Sequence, residues 1–108
     1  MKYLTYETEY TTYKKCYLEK GEYLQGGKMS LLLVDEIEGP VTDITINVPE
    51  INIPEGCDAI KNYSENEGML KWLEENELAF LLYEIPYNFV TIPIVTFDLE
   101  KIEEYIKQ

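Results

Sequence analysis

Between positions 35 and 108 this chain carries 17 Asp and Glu against 4 Lys, a net of −13, while its first 34 residues carry 4 acids against 5 Lys, a net of +1. Neither Arg nor His occurs anywhere. Charge of one sign at that density repels itself and penalises any compact state; it also creates a field that attracts basic patches and rejects nucleic acid. Such a chain folds only around a core large enough to outweigh the repulsion. The 108 residues supply one, because 45% of them are apolar, too many for a disordered acidic tail. A single domain over residues 1–108 is therefore expected.

No run of about 18 apolar residues is present, so no membrane-spanning segment is expected. The opening Met-Lys-Tyr-Leu-Thr-Tyr-Glu lacks the apolar core of a signal peptide, which makes a cytoplasmic location the default. Cys16 and Cys57 lie outside any metal-ligand spacing. In a reducing compartment each reads as a small buried hydrophobe, with a Cys16–Cys57 disulfide as the alternative.

Residues 3–24 are rich in Thr and Tyr, which favours extended structure. Tyr3, Tyr6, Tyr10, Tyr13 and Tyr17 nevertheless recur at helical spacing. The branched Thr5, Thr8, Thr11 and Thr12 weaken a helix, so two strands, about 3–10 and 13–19, are expected, with a helix as the alternative. Gly26-Gly27 signals a turn into the apolar run Met29–Val34. Alternation from Val41 to Val48 predicts a half-buried strand ending at Pro49, and a short strand is expected over 59–63.

Ser64-Glu65-Asn66-Glu67 has the form of a capping box opening a helix that runs to about Glu75. That helix turns Met69, Leu70, Trp72 and Leu73 inward, keeps Gly68 in its interior, and ends at Asn76 as a left-handed terminator. Residues 78–97 read as two strands, with Pro93 near an edge or bulge. Asp98 caps a last helix whose buried stripe is Leu99, Ile102 and Ile106. The sum is an α+β fold: a mainly antiparallel sheet with a central and a C-terminal helix packed on one face.

Without His there is no Ser-His-Asp or Cys-His arrangement and no conventional zinc site, and no glycine-rich phosphate loop occurs. Carboxylate chemistry remains, but nothing selects two of the 21 acids for it. A protein that is not an enzyme, with no cofactor and no metal, is the expectation. Residues 35–77 alone hold 12 acids and 2 Lys, more than solubility requires. Capping and core packing account for Ser64, Glu67, Gly68 and Met69, whereas Glu74, Glu75 and Glu77 oppose the dipole at a helix C-terminus. The candidate partner-binding residues are therefore Asp35, Glu36 and Glu38 beside Gly39-Pro40; Lys61, Tyr63, Glu65 and Asn66; and Glu74, Glu75 and Glu77.

The stretch from Tyr23 to Leu73 resembles an uncharacterised family of small acidic proteins borne on conjugative elements, plasmids and phages. The likeness rests on Tyr23 with Gly26-Gly27-Lys28, the strand into Val34-Asp35, Ile44-Thr45-Ile46-Asn47-Val48-Pro49, and above all Ile60-Lys61-Asn62-Tyr63-Ser64-Glu65-Asn66-Glu67-Gly68-Met69-Leu70. It implies context more than chemistry, since cargo genes of mobile elements often encode inhibitors of host defence. In size and charge the chain is similar to anti-CRISPR inhibitors of type II effectors. The leading expectation is an inhibitor of a defence nuclease, a CRISPR effector or a restriction enzyme, that occupies a basic nucleic-acid channel with carboxylates spaced like phosphates. It would bind no nucleic acid itself. The alternative is an accessory or regulatory module of a conjugative element that docks on another protein through a sheet edge or its Tyr-rich N-terminus.

Overall fold

A computed structural model of the chain describes residues 2–107. Seven strands and two short helices follow one another: β1 (Leu4–Glu7), β2 (Thr12–Glu22), β3 (Met29–Asp35), β4 (Gly39–Asp43), β5 (Asp58–Ala59), a 3-10 turn (Ser64–Asn66), α1 (Met69–Glu75), β6 (Ala79–Tyr87), β7 (Val90–Phe97) and α2 (Leu99–Glu104). The fold is α+β and mostly antiparallel, but the strands form two sheets, β1-β2-β3-β4 and β5-β7-β6.

The Tyr-rich N-terminus is a hairpin. Tyr6 faces Tyr13 across the β1–β2 ladder, so the helical spacing of the tyrosines comes from a chain that doubles back. The Thr8 hydroxyl accepts from the amides of Tyr10 and Thr11 and closes the turn. Gly26 and Gly27, at φ +92° and +67°, turn the chain between β2 and β3.

The strand expected over 41–48 stops at Asp43, because the next residues join the two sheets. The Ile44 amide donates to Leu31 of the first sheet, while Ile44 accepts from the Lys61 amide and Ile46 donates to Ala59. The strand expected over 59–63 is accordingly only Asp58–Ala59, followed by a Thr45–Ile60 bridge. Pro93 sits in β7, the middle strand of its sheet. Its carbonyl accepts from the Ile60 amide, but it has no N–H to return the bond, so pairing with β5 ends there.

Cross-strand register packs β7 on both faces. Val95 and Phe97 join Leu4, Leu18, Leu33, Met69 and Leu73 in the main core, while Ile92 and Ile94 join Val48, Cys57 and Ala59 in a second cluster. Successive strand residues point to opposite faces, which is how adjacent Ile94 and Val95 are both fully buried. Cys16 and Cys57 are both buried and both free, so the disulfide alternative falls.

Helix α1 starts later than the capping box predicts. Ser64 takes φ +58°, its side chain caps nothing, and the turn is closed by the Glu67 amide on the Ser64 carbonyl. Gly68 is at φ +92° immediately before the helix, and Asn62 Oδ1 accepts from the Leu70 amide at 2.8 Å. Trp72 Nε1 donates to the Thr5 carbonyl, and its ring stands edge-on to Tyr6 with centroids 5.1 Å apart. Asn76 stays right-handed at φ −91°, and Glu77 takes the left-handed position at φ +56°.

Asp98 caps α2 as expected, accepting from the Lys101 amide at 3.1 Å. Leu99, expected inside, is exposed; Ile102 is buried with Tyr105, and Ile106 only partly. The helix ends after six residues because the Tyr105 carbonyl accepts from the Leu18 amide, drawing the C-terminus along β2.

Candidate functional site: an acidic, tyrosine-lined groove

A concavity of about 650 Å³ lies between the β1–β2 hairpin, β4 and the turn that precedes α1. The hairpin contributes Tyr6, Glu7, Glu9, Tyr10 and Tyr13; Val41 and Thr42 come from β4, and Ser64 to Gly68 form the opposite wall. No lysine lines it. Asn66, fully buried, ties that wall to β4: its Oδ1 accepts from the Thr42 hydroxyl and its Nδ2 donates to the Asp43 carbonyl, both at 2.6 Å. Because the capping box does not form, Glu67 is free of the helix end and lines the groove. Glu65 is paired with Lys61, whose ammonium hydrogen bond holds the carboxyl down at about 2. At neutral pH Glu65 is a fixed negative charge and no proton donor.

The ten residues singled out from sequence do not form one surface. Asp35 is only 5% exposed and is a turn residue, accepting from the amides of Ile37 (3.1 Å), Glu38 (3.0 Å) and Lys15 (3.4 Å). Those amides, Glu38 first, hold its carboxyl below the usual range. Burial pushes the neighbouring Cys16 thiol up to about 11, so it stays protonated and inert. Glu36 and Glu38 are exposed in the β3–β4 turn, and Glu38 shares a shallow hollow with Lys14 and Lys15.

Glu74, Glu75 and Glu77 are exposed at the far end of α1, where Glu77 accepts from Lys101 Nζ at 3.1 Å. Tyr63 is half-buried beside the 3-10 turn. Burial takes Asp35 and Asn66 off any surface a partner would meet, and each of the three acidic clusters has a lysine beside it: Lys14 and Lys15 near Glu38, Lys61 on Glu65 and Lys101 on Glu77.

Glu65 is the expected residue that the groove keeps as an exposed anion. Sequence reasoning missed Glu7 and Glu9, gave Glu67 to helix capping, and offered the Tyr-rich N-terminus only as an alternative docking surface. The first two acids were hidden in an N-terminal segment of net +1, and only the folded hairpin, tied to α1 through Trp72, brings them to the concavity that Glu65 and Glu67 line.

Among the described residues, no group of three or more Cys, Asp or Glu is placed to hold a metal ion, and no helix is long and apolar enough to cross a membrane. No curated protein and no solved structure matches the chain. A family match does cover residues 17–108, taking in β6, β7 and α2, which the likeness over 23–73 leaves out, while the hairpin wall of the groove at Tyr6 to Tyr13 precedes it. The chain belongs to the family described as Domain of unknown function (DUF4313).

Proposed function

We propose that the protein is a non-enzymatic binding module whose groove takes a basic segment of a protein that handles nucleic acid, and that it acts as an inhibitor. The leading target class is a defence nuclease, a type II CRISPR effector or a restriction enzyme, met by a protein encoded on a mobile element. One observation carries the reading: four carboxylates, those of Glu7, Glu9, Glu65 and Glu67, line one concavity with three tyrosines and no lysine. Lys and Arg side chains of a nucleic-acid channel suit that lining. Carboxylates meet the charged heads, and the rings of Tyr10 and Tyr13, which unlike buried Tyr6 reach solvent, pack the stems and offer their faces to the cations. Such binding associates fast and weakens with salt.

The test is cleavage by purified nuclease in the presence of the protein, in low and high salt. Inhibition that is stoichiometric, stronger in low salt and lost when Glu7, Glu9, Glu65 and Glu67 all become Gln supports the reading. Inhibition equally lost on replacing Glu74, Glu75 and Glu77 by Gln moves the contact to α1. A second reading, an accessory module of a conjugative element held mainly by tyrosine, is favoured by Tyr10, which stands 89% exposed at the groove rim. Salt-insensitive binding abolished by Tyr10→Ala and retained by the four-Gln variant would select it.

A further inference from the structure

Strand β6 is an outer strand of its sheet, paired among the described residues with β7 alone. It leaves four consecutive large apolar residues half open: Phe80 at 51%, Leu81 at 39%, Leu82 at 52% and Tyr83 at 40% exposed. Leu82 is the extra residue where the register shifts, with no partner on β7. Within the nine residues of β6 the sole charge is Glu84, on a chain of net −12. Proteins block sheet edges with charges, prolines and bulges; here Glu84 and Pro86 guard the distal half, while Ala79 to Tyr83 carries neither charge nor proline and has as its one guard the bulge at Leu82, which a second strand must follow.

We infer that this edge takes β6 of a second copy of the chain, antiparallel about a two-fold axis at Leu82. An isologous antiparallel pair of edges is self-complementary in hydrogen bonds by symmetry. With the axis at Leu82, Leu81 meets Tyr83 of the second copy and Phe80 meets Glu84 of the second copy. The two Glu84 carboxylates then stand four positions apart, roughly 13 Å at about 3.3 Å per residue. That exceeds the Debye length of about 8 Å at physiological salt.

The four half-open side chains offer on the order of 350 Å² per copy, taking about 200 Å² for each. With the flanking Ile85 and Tyr87 and the backbone edge, the two copies together bury at most about 1,000 Å², the range of weak, transient contacts and below that of stable interfaces. A basic partner finds one carboxylate here and four in the groove, so charge directs it elsewhere. Two strongly acidic copies, conversely, approach with least repulsion along this strip.

Sedimentation equilibrium of the full chain in about 0.1 M and 1 M NaCl tests the inference, since the Debye length falls from about 10 Å to 3 Å between them. The expected result is a weak reversible dimer whose association tightens several-fold in high salt, the opposite of groove binding. L82E sets two carboxylates against each other on the axis and weakens association about tenfold or more at unchanged circular dichroism. Position 80 fixes the register: F80K, opposite Glu84 of the second copy, strengthens the dimer, and F80E weakens it. F89S, in the β6–β7 turn beyond the paired residues, leaves association as it is. A monomer at both salt concentrations, association that weakens with salt, or identical behaviour of F80K and F80E in folded protein would overturn the proposal.

Discussion

Strands β3 and β6 are both apolar, and they lie on opposite sides of the boundary between core and water. In Met-Ser-Leu-Leu-Leu-Val-Asp the residues Leu31, Leu33 and Val34 are at most 4% exposed. In Ala-Phe-Leu-Leu-Tyr-Glu-Ile-Pro-Tyr the four residues from Phe80 to Tyr83 are 39% exposed or more. Composition does not separate them. Position does: β3 runs between β2 and β4 and faces the main core, whereas β6 has β7 on one side and, among the described residues, no strand on the other. An apolar run therefore encodes a strand, and the neighbours it acquires decide whether its area is buried or left for a partner.

The widest gap should appear on truncating one leucine in each strand. Leu33→Ala, at a fully buried site, should cost about 2–5 kcal/mol, read as a shift in the urea midpoint at constant slope. Leu82→Ala should stay within about 0.5 kcal/mol. Similar losses at the two positions would break the comparison.

Gly68 sharpens it in another way, because the expected sign depends on tertiary context. A glycine inside a helix would gain about 1 kcal/mol on becoming Ala. At φ +92°, with nothing within 4 Å of the place an alanine methyl would take, Gly68→Ala should instead lose about 1–2 kcal/mol through backbone strain alone. Next in size is the helix cap. Asn62→Ala should cost about 1 kcal/mol by orphaning the Leu70 amide, while Ser64→Ala should remain within about 0.5 kcal/mol. Equal effects would restore the capping box.

The smallest effects are those of pH, where two buried carboxyls act in opposite senses. Amide hydrogen bonds lower Asp35 in the folded state, so its contribution is complete above the unfolded value of about 3.9 and fades as pH falls through its lower folded value. Burial raises Asp58, against the opposing pull of Lys28, so this carboxyl adds stability as pH falls through its folded value toward 3.9. Asp35→Asn should therefore destabilise at neutral pH, and Asp58→Asn should stabilise there. Both differences should shrink in acid, as followed by urea midpoints across the acid range. The same sign for both variants at neutral pH would refute the assignment.

Local chemistry was legible in the residues. β-Branched threonines made the N-terminus strands against the helical spacing of its tyrosines, Gly26-Gly27 marked a turn, and Asp98 marked a helix start. Each depends on torsions or hydrogen bonds within a few positions, so the sequence states it directly. The capping box failed for an equally specific reason: Ser64 takes φ +58° and meets the Glu67 amide with its carbonyl instead of its hydroxyl, and the amide at the start of the later helix, that of Leu70, is capped by Asn62, outside the four-residue pattern.

What the chain alone determined is an acidic, mostly antiparallel α+β protein with a sizeable core. Tertiary structure decided that the strands split into two sheets, that β6 ends at an edge, and that Glu7, Glu9, Glu65 and Glu67 line one groove. The reason is physical. Hydrophobic burial has no direction, and a carboxylate is equally content anywhere water reaches it, so neither fixes which distant segments meet. Strand pairing does, through contacts such as Tyr6–Tyr13 and Ile44–Lys61 that no local pattern contains.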